Sequence, residues 1–124
     1  MEKGKELQII VKAKELAEHT IRITSNCKKF PKKYRFTLVD KMQVKSLNIF
    51  ESLMEANRLQ VGDIRRTELQ TNAITYCDEL QFYIELTVRL EIIGIKSAEY
   101  WISLISSIKS MAIAWKKGDK ERSK

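Results

Sequence analysis

The side chains that could do acid–base or nucleophilic chemistry are few and scattered. His19 is the only histidine, so a serine or cysteine triad would depend on it alone, and no serine sits in the strand-to-helix elbow such a nucleophile uses. Its spacing makes it a surface residue one turn after Glu15. Cys27 and Cys77 have no clustered partners and cannot supply the four close ligands of a zinc site. Asp78 and Glu79 are neighbours on a helix and point in different directions. Glu51 and Glu55 share a face but lack a third ligand or a base. There is neither a GxGxxG nor a Walker loop. The expectation is a protein without catalytic residues, metal or cofactor.

What remains is charge. The segment from Lys29 to Gln43 reads KFPKKYRFTLVDKMQ and contains the only proline. Lys28, Lys29, Lys32, Lys33 and Arg35 crowd around Phe30, Tyr34 and Phe36, with no acid between Glu18 and Asp40. Lysine and arginine displace counterions from phosphates, and interleaved aromatics can stack on unpaired bases. Such contacts give affinity without sequence specificity. Phe30 and Phe36 read first as plugs for the open end of a bundle, with base stacking the second reading. Arg58, Arg65 and Arg66, around the next connector, complete the candidate nucleic-acid-binding set at the opposite end. A second cationic excess lies in the tail, KKGDKERSK. A solvated surface that keeps the protein soluble is the other reading of the net charge of +7.

Four helical periods must position these groups. The first, about 5–28, gathers Ile9, Ala13, Leu16, Thr20, Ile23 and Cys27 on one face, with Glu18 and Arg22 as a surface pair, and must end before Pro31. The second, about 38–60, repeats the pattern with Val39, Met42, Ser46, Ile49, Leu53 and Ala56. Thr37 and Asp40 have the spacing of a capping box at its start, and Gly62 is a plausible stop. The third, about 64–92 with Asp63 as cap, shows a heptad of Leu69, Ala73, Tyr76, Leu80, Tyr83, Thr87 and Leu90. Gly94 and Ser97 give a stop and restart. The fourth, about 97–116, faces inward with Trp101, Leu104, Ile105, Ile108, Met111, Ala112 and Trp115, opposite a stripe of small residues at Ser103, Ser107, Ser110 and Ala114.

The chain's 124 residues suffice for one domain, and four glycines and one proline are too few for a hairpin-rich β fold. An all-α, antiparallel up-down-up-down four-helix bundle over residues 1–117 is the economical solution, with a basic, frayed tail at 118–124. Leu47, Phe50 and Met54 on the second helix and Phe82 on the third exceed what one core needs, which predicts a homo-oligomer that covers them. No apolar run approaches the roughly 20 residues needed to cross a bilayer, and MEKGKE is no signal peptide, so a soluble, cytoplasmic protein with buried reduced thiols is expected.

At Phe30-Pro31-Lys32 and Arg35-Phe36-Thr37-Leu38, and along the pattern ending Leu53-Met54-Glu55-Ala56, the chain resembles a family of small four-helix bundles. This is the family of Avd, the accessory variability determinant of diversity-generating retroelements, related to proteins encoded in ribosomal RNA intervening sequences. The likeness begins near Leu16 and continues more loosely through the third helix to Tyr100 and Trp115, and Val39 stands where relatives often have glycine. The resemblance implies a homopentameric barrel of bundles with a basic surface. It also implies association with the retroelement's reverse transcriptase and binding to RNA or DNA in mutagenic retrohoming. A structural or protein-interaction bundle without a reverse transcriptase partner is the competing class.

Overall fold

The computed structural model describes residues 3–123, with side chains from Gln8 to Ser123. Among the described residues there are four α-helices and no strand: α1 (Lys3–Thr24), α2 (Asp40–Arg58), α3 (Ile64–Arg89) and α4 (Ile95–Arg122). Consecutive helices pack side by side and α4 closes against α1, which makes a four-helix bundle. The pairs that cross it run antiparallel: Thr24 with Gln43, Lys45 with Glu79, Arg66 with Asp119, and Thr20 with Trp101. No described helix is long and apolar enough to cross a membrane.

The core follows the three-four spacing of each helix. Ile9, Ala13, Leu16, Met42, Ile49, Leu53, Leu80, Ile84, Trp101, Ile105 and Ile108 are all buried. On α3 the buried positions are Arg66, Gln70, Ala73, Cys77, Leu80, Ile84 and Thr87. The heptad read from the sequence is therefore right at Ala73, Leu80 and Thr87 and displaced elsewhere, because Leu69, Tyr76 and Tyr83 flank the seam while Leu90 is exposed.

Several boundaries differ from expectation, each for a local reason. The first helix stops at Thr24, short of 28. Thr20, Ile21, Ile23 and Thr24 are β-branched, and Asn26 then offers its backbone a different partner by accepting from Lys28 N–H at 3.0 Å. Cys27 consequently lies outside the helix and is exposed, whereas Cys77 is buried as expected. Thr37 makes no capping bond, because the chain is already helical before α2: residues Arg35–Val39 form a π-turn in which Asp40 N–H donates to the Arg35 carbonyl. Gly94 is the N-cap of α4, not the stop of α3. That stop is a Schellman turn with Glu91 at φ 60°: Ile92 N–H donates to Thr87 O at 2.8 Å and Glu91 N–H to Val88 O at 3.0 Å. Finally, the tail expected to fray after 117 continues α4 to Arg122, with Asp119 buried.

Candidate nucleic-acid interface

The connector between α1 and α2 is held by two buried anchors. After Thr24 the carbonyl of Asn26 accepts from Lys29 N–H at 3.0 Å and Phe30 N–H at 2.8 Å, a tight turn that drops Phe30 into the core. Pro31 then stops any helix, and Lys32–Tyr34 make a single 3₁₀ turn leading into the π-turn. Leu38 is the second anchor. Phe30 is only 3% exposed and Leu38 4%, while Lys28, Lys29, Lys32, Lys33 and Arg35 between and beside them are all exposed. Two neighbouring bonds brace this end of the bundle: Gln43 Nε2 donates to Thr24 Oγ1 at 2.9 Å, and Trp101 Nε1 to Thr20 Oγ1 at 2.9 Å. A short connector pinned at both ends therefore presents its cations from a braced base.

None of these five cations forms an ion pair with a carboxylate among the described residues. The described ion pairs include Arg22–Glu18, Lys45–Glu79, Arg65–Asp63, Arg66–Asp119 and Lys109–Asp78, all outside the connector. Lys33 lies over the Tyr34 ring, 5.2 Å from its centroid. Lys32 and Arg35 line a common groove of about 260 Å³ with Pro31, Gln43, Asp40 and the exposed Cys27. Phe30 is the plug it was expected to be. Phe36 is not: it is 77% exposed, because the wide π-turn sends Leu38 inward and leaves Phe36 facing water.

The three arginines of the second connector lie at the opposite end of the bundle, and they differ among themselves. Arg58 and Arg65 are exposed, in a groove between α2 and α3 that also holds Glu55 and Glu68. Arg65 is tied to Asp63, which accepts from its Nη2 at 2.9 Å and its backbone N–H at 2.9 Å, and these bonds hold the Asp63 carboxyl below the usual range. Arg66 does not belong to a surface site at all. It is 4% exposed; its Nε donates to Asp119 Oδ2 at 2.6 Å, its Nη2 to Asp119 Oδ1 at 3.1 Å, and its Nη1 to the Leu59 carbonyl at 2.8 Å. Gln70 Nε2 donates to the same carboxylate at 2.8 Å, and the guanidinium lies 4.8 Å from the Trp115 ring. Arg66 and Asp119 continue the core spacing of α3 and α4, and two opposite charges on core positions at one bundle end are the signal that could have found this pair.

His19 is half-buried, not on the open surface, with edge contacts to Tyr100 at 5.0 Å and Trp101 at 5.8 Å. Burial, with a smaller contribution from Arg22, pushes its pKa below the ordinary histidine value, against the opposing pull of Glu15. Burial likewise pushes the Cys77 thiol up to about 12, so that thiol stays protonated. No cluster of three or more potential metal ligands occurs among the described residues. Of the apolar surplus, Leu47, Met54 and Phe82 are exposed as expected, but Phe50 packs partly against the core and presents less surface than the sequence suggested.

The class that these elements define is the all-helical four-helix bundle. No family model matches the chain, and no curated protein matches it. Among solved structures it is similar to the crystal structure of a protein of unknown function from the S23 ribosomal protein family of Bacteroides thetaiotaomicron. The TM-score is 0.82 at 18% identity, over 91% of this chain and 98% of that one. At that identity the likeness speaks to the fold.

Proposed function

We propose that this chain is a cytoplasmic, non-catalytic accessory protein that binds nucleic acid through its α1–α2 connector. The observation that carries this is the connector itself: five exposed cations without a carboxylate partner, held between the buried Phe30 and Leu38. Phosphate contacts from such a patch release counterions, so binding must weaken steeply with salt. The resemblance at Phe30-Pro31-Lys32 and Arg35 to Leu38 supports a finer role, association with the reverse transcriptase of a diversity-generating retroelement during mutagenic retrohoming. Exposed Leu47 and Met54 on α2 and Phe82 on α3 support self-association, for which the same resemblance suggests a pentamer.

Fluorescence anisotropy with RNA and DNA oligonucleotides at rising salt tests the binding. The expected log–log slope is about −0.7 per phosphate neutralised on single strands. Absence of binding at about 50 mM salt, or a flat slope, removes the nucleic-acid reading. Sequencing the DNA that flanks the gene, followed by co-purification with any reverse transcriptase encoded there, tests the finer role.

A protein-interaction bundle without a reverse transcriptase partner is the second reading. A different place favours it: an open groove of about 590 Å³ at the far end, with Ile64, Ile74 and Ile113 exposed or half-buried along it and Lys116, Lys117 and Lys120 at its edge. An apolar floor with a polar rim suits a protein partner. Retention of a partner by a variant with the connector cations reversed would favour this reading over the first.

A further inference from the structure

Phe36 is the most exposed large apolar side chain described, ahead of Ile64 at 72%. Its exposure is built in. The turn that carries it is a π-turn, in which Asp40 N–H reaches back five residues to Arg35. A π-turn is less favourable than an ordinary helical turn and recurs at functional sites. Here it lets Leu38 reach the core while the preceding aromatic stays in water. Lys32, Lys33 and Arg35 lie within four residues of Phe36 along the chain, none paired with a carboxylate among the described residues, and Lys32 and Arg35 line one groove, which Asp40 also lines. An exposed aromatic ring on the same short connector as these cations suits a flat unpaired base attached to a phosphodiester.

We infer that Phe36 is a stacking platform for an unpaired base, with the adjoining phosphate held in the Lys32–Arg35 groove, so that the preferred ligand is single-stranded nucleic acid. This rests on the nucleic-acid reading above and narrows it. A paired base is stacked inside its helix and offers no free face, so duplexes would use the cations alone. Single strands would use the cations and the ring.

The test compares a single-stranded oligonucleotide of about a dozen nucleotides with the corresponding duplex, each titrated by anisotropy against the full chain and against Phe36→Ala and Phe36→Trp. Loss of one base–aromatic stack corresponds to about 5- to 150-fold in affinity. Phe36→Ala is expected to weaken single-strand binding by that factor, to change duplex binding less than twofold and to leave the salt slope unaltered, while Phe36→Trp retains single-strand affinity. Cys27 lines the same groove and is exposed, whereas Cys77 is buried with its thiol pushed up to about 12. Bound oligonucleotide should therefore protect Cys27 from alkylation, with Cys77 silent throughout.

Equal loss for both nucleic acids, or for neither, would overturn the stacking role, as would a wild-type chain that binds duplex and not single strand. A fall in oligomeric mass for Phe36→Ala would also overturn it, by showing that a second copy of the chain covers the ring. If the wild-type chain binds no nucleic acid at all, the broader reading fails first and is recognised as such.

Discussion

The α1–α2 and α2–α3 connectors handle positive charge in different ways. At the α1–α2 end, five cations stand on a connector whose only buried side chains are the apolar anchors Phe30 and Leu38, and no carboxylate pairs with them among the described residues. At the α2–α3 connector, Arg66 is buried against Asp119 and Arg65 is bound to Asp63, while Arg58 shares a groove with Glu55 and Glu68 as Lys32 and Arg35 share theirs with Asp40. A count of charges along the chain makes the ends look alike. The lesson is that a cation contributes to a polyanion site only if its field is not already spent on a neighbouring carboxylate, and buried pairing is the extreme case of that.

The largest effect that would break this comparison concerns Asp119. Replacing it with alanine leaves Arg66 buried without its carboxylate, and the expected loss is about 3–5 kcal/mol by urea or thermal unfolding. The double change Arg66→Met with Asp119→Leu is expected to cost far less, or to stabilise by about 1–4 kcal/mol, since two apolar side chains need no pairing. If Arg66 served the surface instead, the double variant would bind nucleic acid more weakly; it is expected to bind as the wild type does.

A smaller effect is expected at the connector end from His19. Because its folded-state pKa is lowered, the fold favours the neutral ring. Its contribution to stability is therefore complete above the unfolded value of about 6.5 and declines as pH falls from there through the folded pKa. His19→Gln should remove that part of the pH dependence of the melting temperature below about pH 6.5, and an unchanged profile would contradict the assignment.

The smallest effect sharpens the same end. Glu91 holds the left-handed position of the Schellman turn at φ 60°, where glycine carries no Cβ penalty. The left-handed conformation costs an L residue about 1–2 kcal/mol, so Glu91→Gly is expected to raise stability by up to about that amount, less glycine's larger entropy in the unfolded chain, measured by urea unfolding. It also removes an acid from the connector end of the bundle, so affinity for polyanions should rise slightly and not fall.

Much of the fold could be read from spacing alone. The four helices, the Asp63 cap and the inward faces of α1, α2 and α4 follow from three-four periodicity, because burial along a helix is set by angle around its axis. The errors arose where a polar residue took a core position. Arg66 and Gln70 both donate to Asp119 across α3 and α4, a long-range compensation that hydropathy patterns do not register, and it also explains why the tail stays helical. Phe36 was misplaced for another reason: an ordinary helix start at Thr37 would have left it beside Phe30 as a second plug, but one additional residue in the π-turn rotates it outward. The cationic set at Lys28 to Arg35 was legible because Pro31 forces a break there and the anchors on either side are apolar. Periodicity could not show which of the remaining arginines had carboxylate partners.

The most direct test sets the two ends against each other at equal change in charge. One variant carries Lys28, Lys29, Lys32 and Lys33→Glu, the other Arg58, Arg65, Lys117 and Lys120→Glu, and each is titrated with the same single-stranded RNA across a salt series after helicity and oligomeric mass have been matched to wild type. Reversal at the connector should flatten the salt slope by about three units and abolish binding at about 150 mM salt, while reversal at the far end leaves the slope within about one unit of wild type. Equal losses from the two variants would mean that overall charge, and not the anchored connector, governs binding.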